Sequence, residues 1–257
     1  MDLGLRGKVA IITGGSDGIG RASARLLAAE GAQLGLCARR IEPLAAVARE
    51  IEQKSGAQVL ASAADVTQPA DVERFVSEVG ARFGRIDILV NNAGTANARP
   101  FEAVDDALWS ADLELKLHGA IRTIRAALPF LKREGGRIIN ITTPSGKHPG
   151  AGSLPTSVSR AAGIALTKAL SRDLAPYGIL VNTVCVGSIK SGQQARAAEA
   201  RQLTPEQHYA ALGNGVPLGR VGEAEEVANV IAFLAGSASS YVTGASINVD
   251  GGVSAVV

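Results

Sequence analysis

The sequence predicts an α/β protein: a doubly wound parallel sheet of about seven strands with helices on both faces, three layers in the order αβα. Three observations predict it. Short apolar runs alternate with longer runs whose apolar residues recur at helical spacing, from one end of the 257-residue chain to the other. The first short run is apolar throughout, the pattern of a strand covered on both faces. A glycine cluster stands between the first short run and the first long one, where a strand passes directly into a helix.

The elements follow in order. The first strand reads at 8–13, and the first helix at 18–30, ending before Gly31, a helix C-terminal signal. Further strands read at 33–38, 58–63, 86–91, 136–142, 179–185 and 246–249. Helical patterns at 41–54, 69–83, 111–132, 156–175 and 223–235 fill the gaps. Strand, helix, strand, repeated in this way, makes a parallel sheet with crossover helices. Segment 192–215 breaks the alternation; polar and rich in Ala and Gln, it reads as an inserted helical lid over a substrate site. No repeat, linker or low-complexity tract divides the chain, so residues 1–257 form one domain.

Composition agrees with one ordinary globular core: 46% of residues are hydrophobic and 19% charged. The net charge is +2, with Lys and Arg interspersed among Asp and Glu, so the basic stripe of a nucleic-acid binder is missing. Residues 1–8 lack the apolar core of a signal peptide. No stretch has the uninterrupted apolar length of a membrane helix. Cys37 and Cys185 lie in apolar strands and read as two separate buried thiols in a reducing compartment. The expectation is a cytoplasmic protein with no metal, no membrane contact and no nucleic-acid partner.

The glycine cluster reads Thr13-Gly14-Gly15-Ser16-Asp17-Gly18-Ile19-Gly20. Gly14 permits a tight turn, Gly18 a close approach of backbone to a pyrophosphate, and Gly20 the packing of helix on strand. The helix that starts there offers free N–H donors and a positive dipole end to an anion. A strand before and a helix after are the context in which such a loop binds a dinucleotide rather than merely turning the chain. The second strand ends at Ala38-Arg39-Arg40. A ribose 2′-hydroxyl calls for a carboxylate there, a 2′-phosphate for a cation. Two guanidiniums suit a phosphate, so NADP(H) is expected in preference to NAD(H); solvated surface arginines are the plainer alternative. Asp17 nearby opposes the phosphate somewhat.

More motifs follow in order: Asp65-Val66, Asn91-Asn92-Ala93-Gly94, Ile141-Thr142-Thr143, Gly187, Pro217-Leu218-Gly219-Arg220, Tyr241-Val242-Thr243-Gly244 and Val249-Asp250-Gly251-Gly252. In these the chain resembles the short-chain dehydrogenase/reductases, a Rossmann-type family, and is similar to its 3-oxoacyl-carrier-protein reductases. The resemblance implies that Ser16 and Ile19 join the loop glycines at the cofactor. It places Asp65 and Val66 at the adenine, and Asn92, Ala93 and Gly94 along the adenosine side. Ile189 and Ser191 would hold the nicotinamide amide. Two departures are mild: Val186 stands where the family usually has Pro, and Ser191 replaces a usual Thr. The resemblance also implies a homotetramer, or a mixed tetramer with a relative, through helix 156–175 and segment 217–252.

The catalytic positions depart more sharply. The family reduces a carbonyl with a Tyr-x-x-x-Lys pair, a serine at a strand end, and an asparagine that holds a relay water. In this chain the tyrosine position is Thr156, the lysine position Arg160, the serine position Thr143 and the asparagine position Lys116. Threonine for serine keeps one hydroxyl. Thr156 is a far weaker acid than a phenol and a ring's length shorter. Arg160 can hold ribose hydroxyls but does not give up a proton. The usual proton path is therefore broken. Candidate substitutes are His148, in the loop bordering the pocket, and Lys116; their plainer readings are a loop histidine and a helix lysine reaching water. His208 and Tyr209 lie on the expected lid.

Three functions remain open from the residues. One is an NADP(H)-dependent oxidoreductase with a rebuilt acid–base group. Another is a catalytically silent partner of an active relative. A third is non-redox chemistry on the same scaffold, in the manner of halohydrin dehalogenases, which keep the tyrosine and lose the glycine loop where this chain does the reverse.

Overall fold

The computed structural model describes residues 2–256. The first half runs β1 (Val9–Thr13), α1 (Gly18–Ala29), β2 (Gln33–Ala38), α2 (Ile41–Ser55), β3 (Val59–Ala63), α3 (Pro69–Phe83) and β4 (Ile88–Asn91). After the short strand β5 (Ala98–Arg99) comes one long helical run: α4 (Asp106–Leu113), a π-helical segment (Glu114–His118) and α5 (Gly119–Glu134). Then follow β6 (Gly136–Thr142), β7 (Leu154–Pro155), α6 (Thr156–Asp173) and β8 (Ile179–Val186). The chain closes with α7 (Gly192–Ala200), α8 (Pro205–Gly213), α9 (Ala224–Ala235) and β9 (Ser246–Val249).

Seven strands form one sheet in the order β3-β2-β1-β4-β6-β8-β9, all pairs parallel. This is the predicted doubly wound class. Its central strands are largely apolar and buried because both faces are covered, while the edge strands β3 and β9 are only partly buried. Leu27, Leu44, Ile51, Val227 and Ile231 pack from α1, α2 and α9 on one face. Phe75, Val79, Ile124, Leu131 and Leu174 pack from α3, α5 and the end of α6 on the other. The chain reverses its winding between β1 and β4, and a crevice opens at the carboxyl ends of strands at such a switch point.

Several boundaries differ from the sequence reading. The helix expected at 111–132 begins at Asp106, because the Asp105 side chain accepts from the Leu108 N–H at 2.8 Å and caps it. The fourth strand starts at Ile88 rather than 86, since Arg85 and Asp87 are tied into an ion pair at its foot. β5 and β7 pair antiparallel apart from the main sheet and carry no pattern long enough to read. Segment 192–215 holds two helices, α7 and α8. Cys37 and Cys185 are both free and buried, and burial pushes the Cys37 thiol up to about 12. Among the described residues no helix is long and apolar enough to cross a membrane.

Candidate functional site

The glycine loop is built by close approach. Gly14 has φ +70°, a left-handed conformation natural to glycine, and a Cβ on Gly20 would lie 2.2 Å from the Gly14 carbonyl oxygen. α1 can therefore start directly under the turn. Asp17 caps it, its carboxylate accepting from the Gly18 N–H at 2.7 Å. Asn92, at the end of β4, braces the loop from below. Its Nδ2 donates to the Thr13 and Gly14 carbonyls at 3.0 and 3.1 Å, and its N–H and that of Ala93 each donate to Thr13 Oγ1 at 3.0 Å.

A cleft of about 640 Å³ runs along the carboxyl ends of the strands from this loop. Gly14, Ser16, Asp17, Gly18 and Ile19 line its phosphate end. Arg39 and Arg40, both exposed and without an ion-pair partner among the described residues, border it after β2. Asp65 and Val66 after β3, then Asn92, Ala93 and Gly94 after β4, form its next wall. Ile189 and Ser191 close it on the far side. Gly20 is the one residue expected at the cofactor that does not line the cleft; its place is the packing of α1 on the loop.

The four positions that the family resemblance marks as catalytic converge at the other end. Thr143, Thr156 and Arg160 line the same cleft. Thr143 Oγ1 lies 2.7 Å from Ser145 Oγ. Arg160 runs under the floor, where its Nη1 donates to the Ile141 carbonyl at 2.7 Å and its Nε is buried without a partner among the described residues. Burial brings its guanidinium down to about 10, opposed by the charge of Asp112, so it stays a cation at neutral pH.

Lys116 does not reach water, contrary to the plainer sequence reading. Its side chain is 0% exposed and paired with Asp112, one turn earlier and equally buried. Lys116 Nζ also donates to Thr156 Oγ1 at 2.8 Å. Asp112 accepts in addition from Ser159 Oγ at 2.7 Å and from Asn97 Nδ2 at 3.3 Å, while the Asn97 N–H donates to Thr156 Oγ1 at 3.1 Å. Burial lowers the Lys116 ammonium to about 8; the Asp112 carboxylate opposes the shift and the Arg160 charge adds to it. A small enclosed cavity of about 20 Å³, enough for one water, separates Lys116 from Arg160 and is lined as well by Asn91 and Asn140.

Asp112, Ser159 and Asn97 were missed from sequence. The available signal was the acid–base pair at i and i+4, which usually marks a solvated helix face. His148 does not line the cleft; its Nε2 accepts from the Ala255 N–H at 3.3 Å, near the C-terminus. His208 and Tyr209 do not line it either. His208 is buried between the two helices of segment 192–215, 3.0 Å from Gln194 Oε1. From that segment it is Gln193, Gln194 and Arg196 of α7 that face the cleft.

The profile of the enoyl-(acyl carrier protein) reductase family matches residues 14–254. The 3-oxoacyl-acyl-carrier-protein reductase of Escherichia coli is 35% identical over 98% of this chain and 99% of its own length. Among solved structures, L-sorbose reductase of Gluconobacter frateurii, complexed with NADPH and L-sorbose, superposes with a TM-score of 0.96 at 33% identity over 100% of both chains. The NADPH-bound short-chain oxidoreductase of Pseudomonas aeruginosa PAO1, described as containing an atypical catalytic center, gives 0.92 at 37% identity over 97% of this chain and 98% of that one.

Proposed function

The chain belongs to the short-chain dehydrogenase/reductase family, and from that premise we propose that it is an NADP(H)-dependent oxidoreductase working between a carbonyl and an alcohol through an altered active site. The observation that carries this reading is the single cleft of about 640 Å³ that joins the glycine loop and the Arg39–Arg40 pair to Thr143, Thr156 and Arg160. Its volume lies in the range of about 300–1,000 Å³ usual for small-molecule and cofactor sites. The residues fit a dinucleotide carrying a 2′-phosphate: a glycine turn at a helix N-terminus for the pyrophosphate, and beyond it two exposed guanidiniums with no ion-pair partner among the described residues. When bound, the reduced nicotinamide supplies a hydride. The chain's part is then to hold the sugar and phosphates, with Arg39 and Arg40 at the 2′-phosphate and Arg160 at ribose hydroxyls, and to orient a carbonyl oxygen near Thr143.

NADPH-bound relatives support the cofactor, and the relative described as an oxidoreductase with an atypical catalytic center supports an altered site on this scaffold. A second reading, a silent subunit in a mixed tetramer, is favoured by Thr156 at the tyrosine position. Fluorescence titration with NADPH and NADH, followed by a screen of ketones, β-keto esters and sugars, decides between them. NADPH binding with turnover of any carbonyl establishes the oxidoreductase; binding with no turnover favours the silent subunit, and no binding sinks both cofactor claims.

A further inference from the structure

We propose that the Thr156 hydroxyl delivers the proton to the substrate oxygen over one water, and that buried Lys116 is the positioning residue that aims and recharges it. The proposal rests on the oxidoreductase reading above. Its core is the direction of the hydrogen bonds at one oxygen. A hydroxyl has two lone pairs and one proton. Thr156 Oγ1 accepts from Lys116 Nζ at 2.8 Å and from the Asn97 N–H at 3.1 Å, which occupies both lone pairs. Its own proton has no acceptor among the described residues, and the side left open is the cleft that Thr156 lines. The hydroxyl is thus fixed as a donor into the cleft.

The group behind it is built to recharge it. The Lys116 side chain has no exposed surface, and its partners are Asp112 and Thr156, so Thr156 is its hydrogen-bonded route to the cleft. The charged groups facing Lys116 are Asp112 on α4 and Arg160 on α6; Ser159 and Asn97 hold Asp112 and are neutral. Burial and Arg160 together bring the ammonium close to neutrality, at about 8, where it can both hold and release a proton. A threonine ends about a ring's length short of a tyrosine, and one water, about 30 Å³ in the liquid, spans that distance.

The protons balance. A carbonyl carbon that gains a hydride leaves its oxygen short of one proton. An O–H of the water breaks toward that oxygen, the Thr156 O–H toward the water, and a Lys116 N–H toward Thr156 Oγ1. The net transfer is one proton from Lys116 to the product hydroxyl, leaving a neutral amine beside Asp112. Thr156 then donates to Lys116 Nζ, and the same chain run backward from water restores the ammonium. Oxidation of an alcohol uses it in reverse.

The test begins without cofactor. The native ammonium titrates near 8 against 10.5 when unfolded, so the urea midpoint of the unmodified protein should rise with pH across that window relative to a chain without Lys116, the raised Cys37 thiol pulling both down alike. The paired variant Asp112→Asn with Lys116→Met removes both charges and should lose that rise; parallel curves overturn the proposal. With NADPH and the best carbonyl of the screen, Thr156→Val should lower kcat by roughly 10²–10⁴-fold with KM little changed, and Thr156→Ser should recover the loss to within about tenfold. The paired variant, which keeps the hydroxyl, should lose the fall in reductive kcat above pH 8. A Thr156→Val protein that keeps its kcat overturns the proposal. So does an unmodified chain that binds NADPH yet reduces nothing, and that outcome leaves cofactor binding standing. Failure to bind NADPH removes the oxidoreductase reading itself.

Discussion

Arg160 passes so close to Gly94 that a Cβ on residue 94 would lie 2.7 Å from the guanidinium Nη2. The bare backbone after β4 is what lets the arginine lie flat under the cleft floor and reach the Ile141 carbonyl. Gly94→Ala should therefore push the Arg160 guanidinium out of place, at a small cost in stability because it is the far end of a flexible side chain. Urea unfolding reads the loss, and NADPH titration reads the displaced cation as weaker binding. Unchanged values in both would mean that the arginine relocates freely.

Arg39 and Arg40 border the cleft, exposed and without a carboxylate partner among the described residues. Replacing both by Ala should weaken NADPH at least tenfold and leave NADH nearly unchanged, because only the former carries the 2′-phosphate they would pair with. Fluorescence titration of each cofactor checks this. Equal losses for both cofactors would assign the arginines to something other than the phosphate.

Asp87 offers a pH prediction far from the cleft. Burial alone would raise its carboxyl, but the fork of Arg85, with contacts at 2.8 and 2.6 Å, and the Val9 N–H at 2.9 Å overcome that and hold it below the usual range. The native state thus binds this proton less readily than the unfolded chain. The stabilisation is complete above the ordinary carboxylate range and disappears as the pH falls through the lowered native value. Asp87→Asn should cost roughly 1.5–3 kcal/mol at pH 7. The gap between variant and unmodified protein should close below about pH 4; a gap independent of pH would refute the assignment.

We expect a tetramer, built through α6 and segment 217–252. Val158, Leu218 and Tyr241 are 43, 67 and 102% exposed there, an apolar surface suited to burial against a second copy. Light scattering at micromolar concentration measures the mass directly. A monomer would rule the arrangement out.

The fold was legible because its signals are local. Strand and helix periods, and a glycine turn between them, occupy a few consecutive residues each, and the glycine-loop half of the cleft is lined by residues of such local motifs. The other half is assembled from distant positions. Lys116 and Thr156 lie forty residues apart in the chain and meet at one hydrogen bond. Nothing in the spacing of Asp112 and Lys116 told a buried pair from an exposed one, since the burial comes from α6 lying across them. His148 shows the opposite error: a histidine in a suitable loop, turned toward the C-terminus instead of the cleft.

Restoring the family's groups follows from the same geometry. Thr156→Tyr alone should fail, because Lys116 occupies the space beside it and Arg160 cannot tune the phenol. Lys116→Asn, Thr143→Ser, Thr156→Tyr and Arg160→Lys together should raise turnover of β-keto esters by about 10²-fold or more, groups that act as a unit being far from additive. Rates with NADPH across the single and fourfold variants test it. A fourfold variant that binds NADPH but stays inert would place the obstacle in the substrate pocket.

The π segment at Glu114–His118 sets the rotational phase between two stretches of one helix. Downstream, Thr123, Ile124, Ala127 and Leu131 of α5 are buried on the sheet and fix that half. Each residue advances an α-helix by about 100°. A π turn holds one residue more than an α-helical one, so deleting residue 114 or 115 would restore an α-helical turn with Asp112 still facing α6, and would turn Lys116 by about that angle relative to Asp112. The buried charge pair is thus one deletion from being dismantled and one insertion from being built. Changes of chain length at this point, more than changes of side chain, are the step by which such a scaffold would exchange one proton-handling arrangement for another.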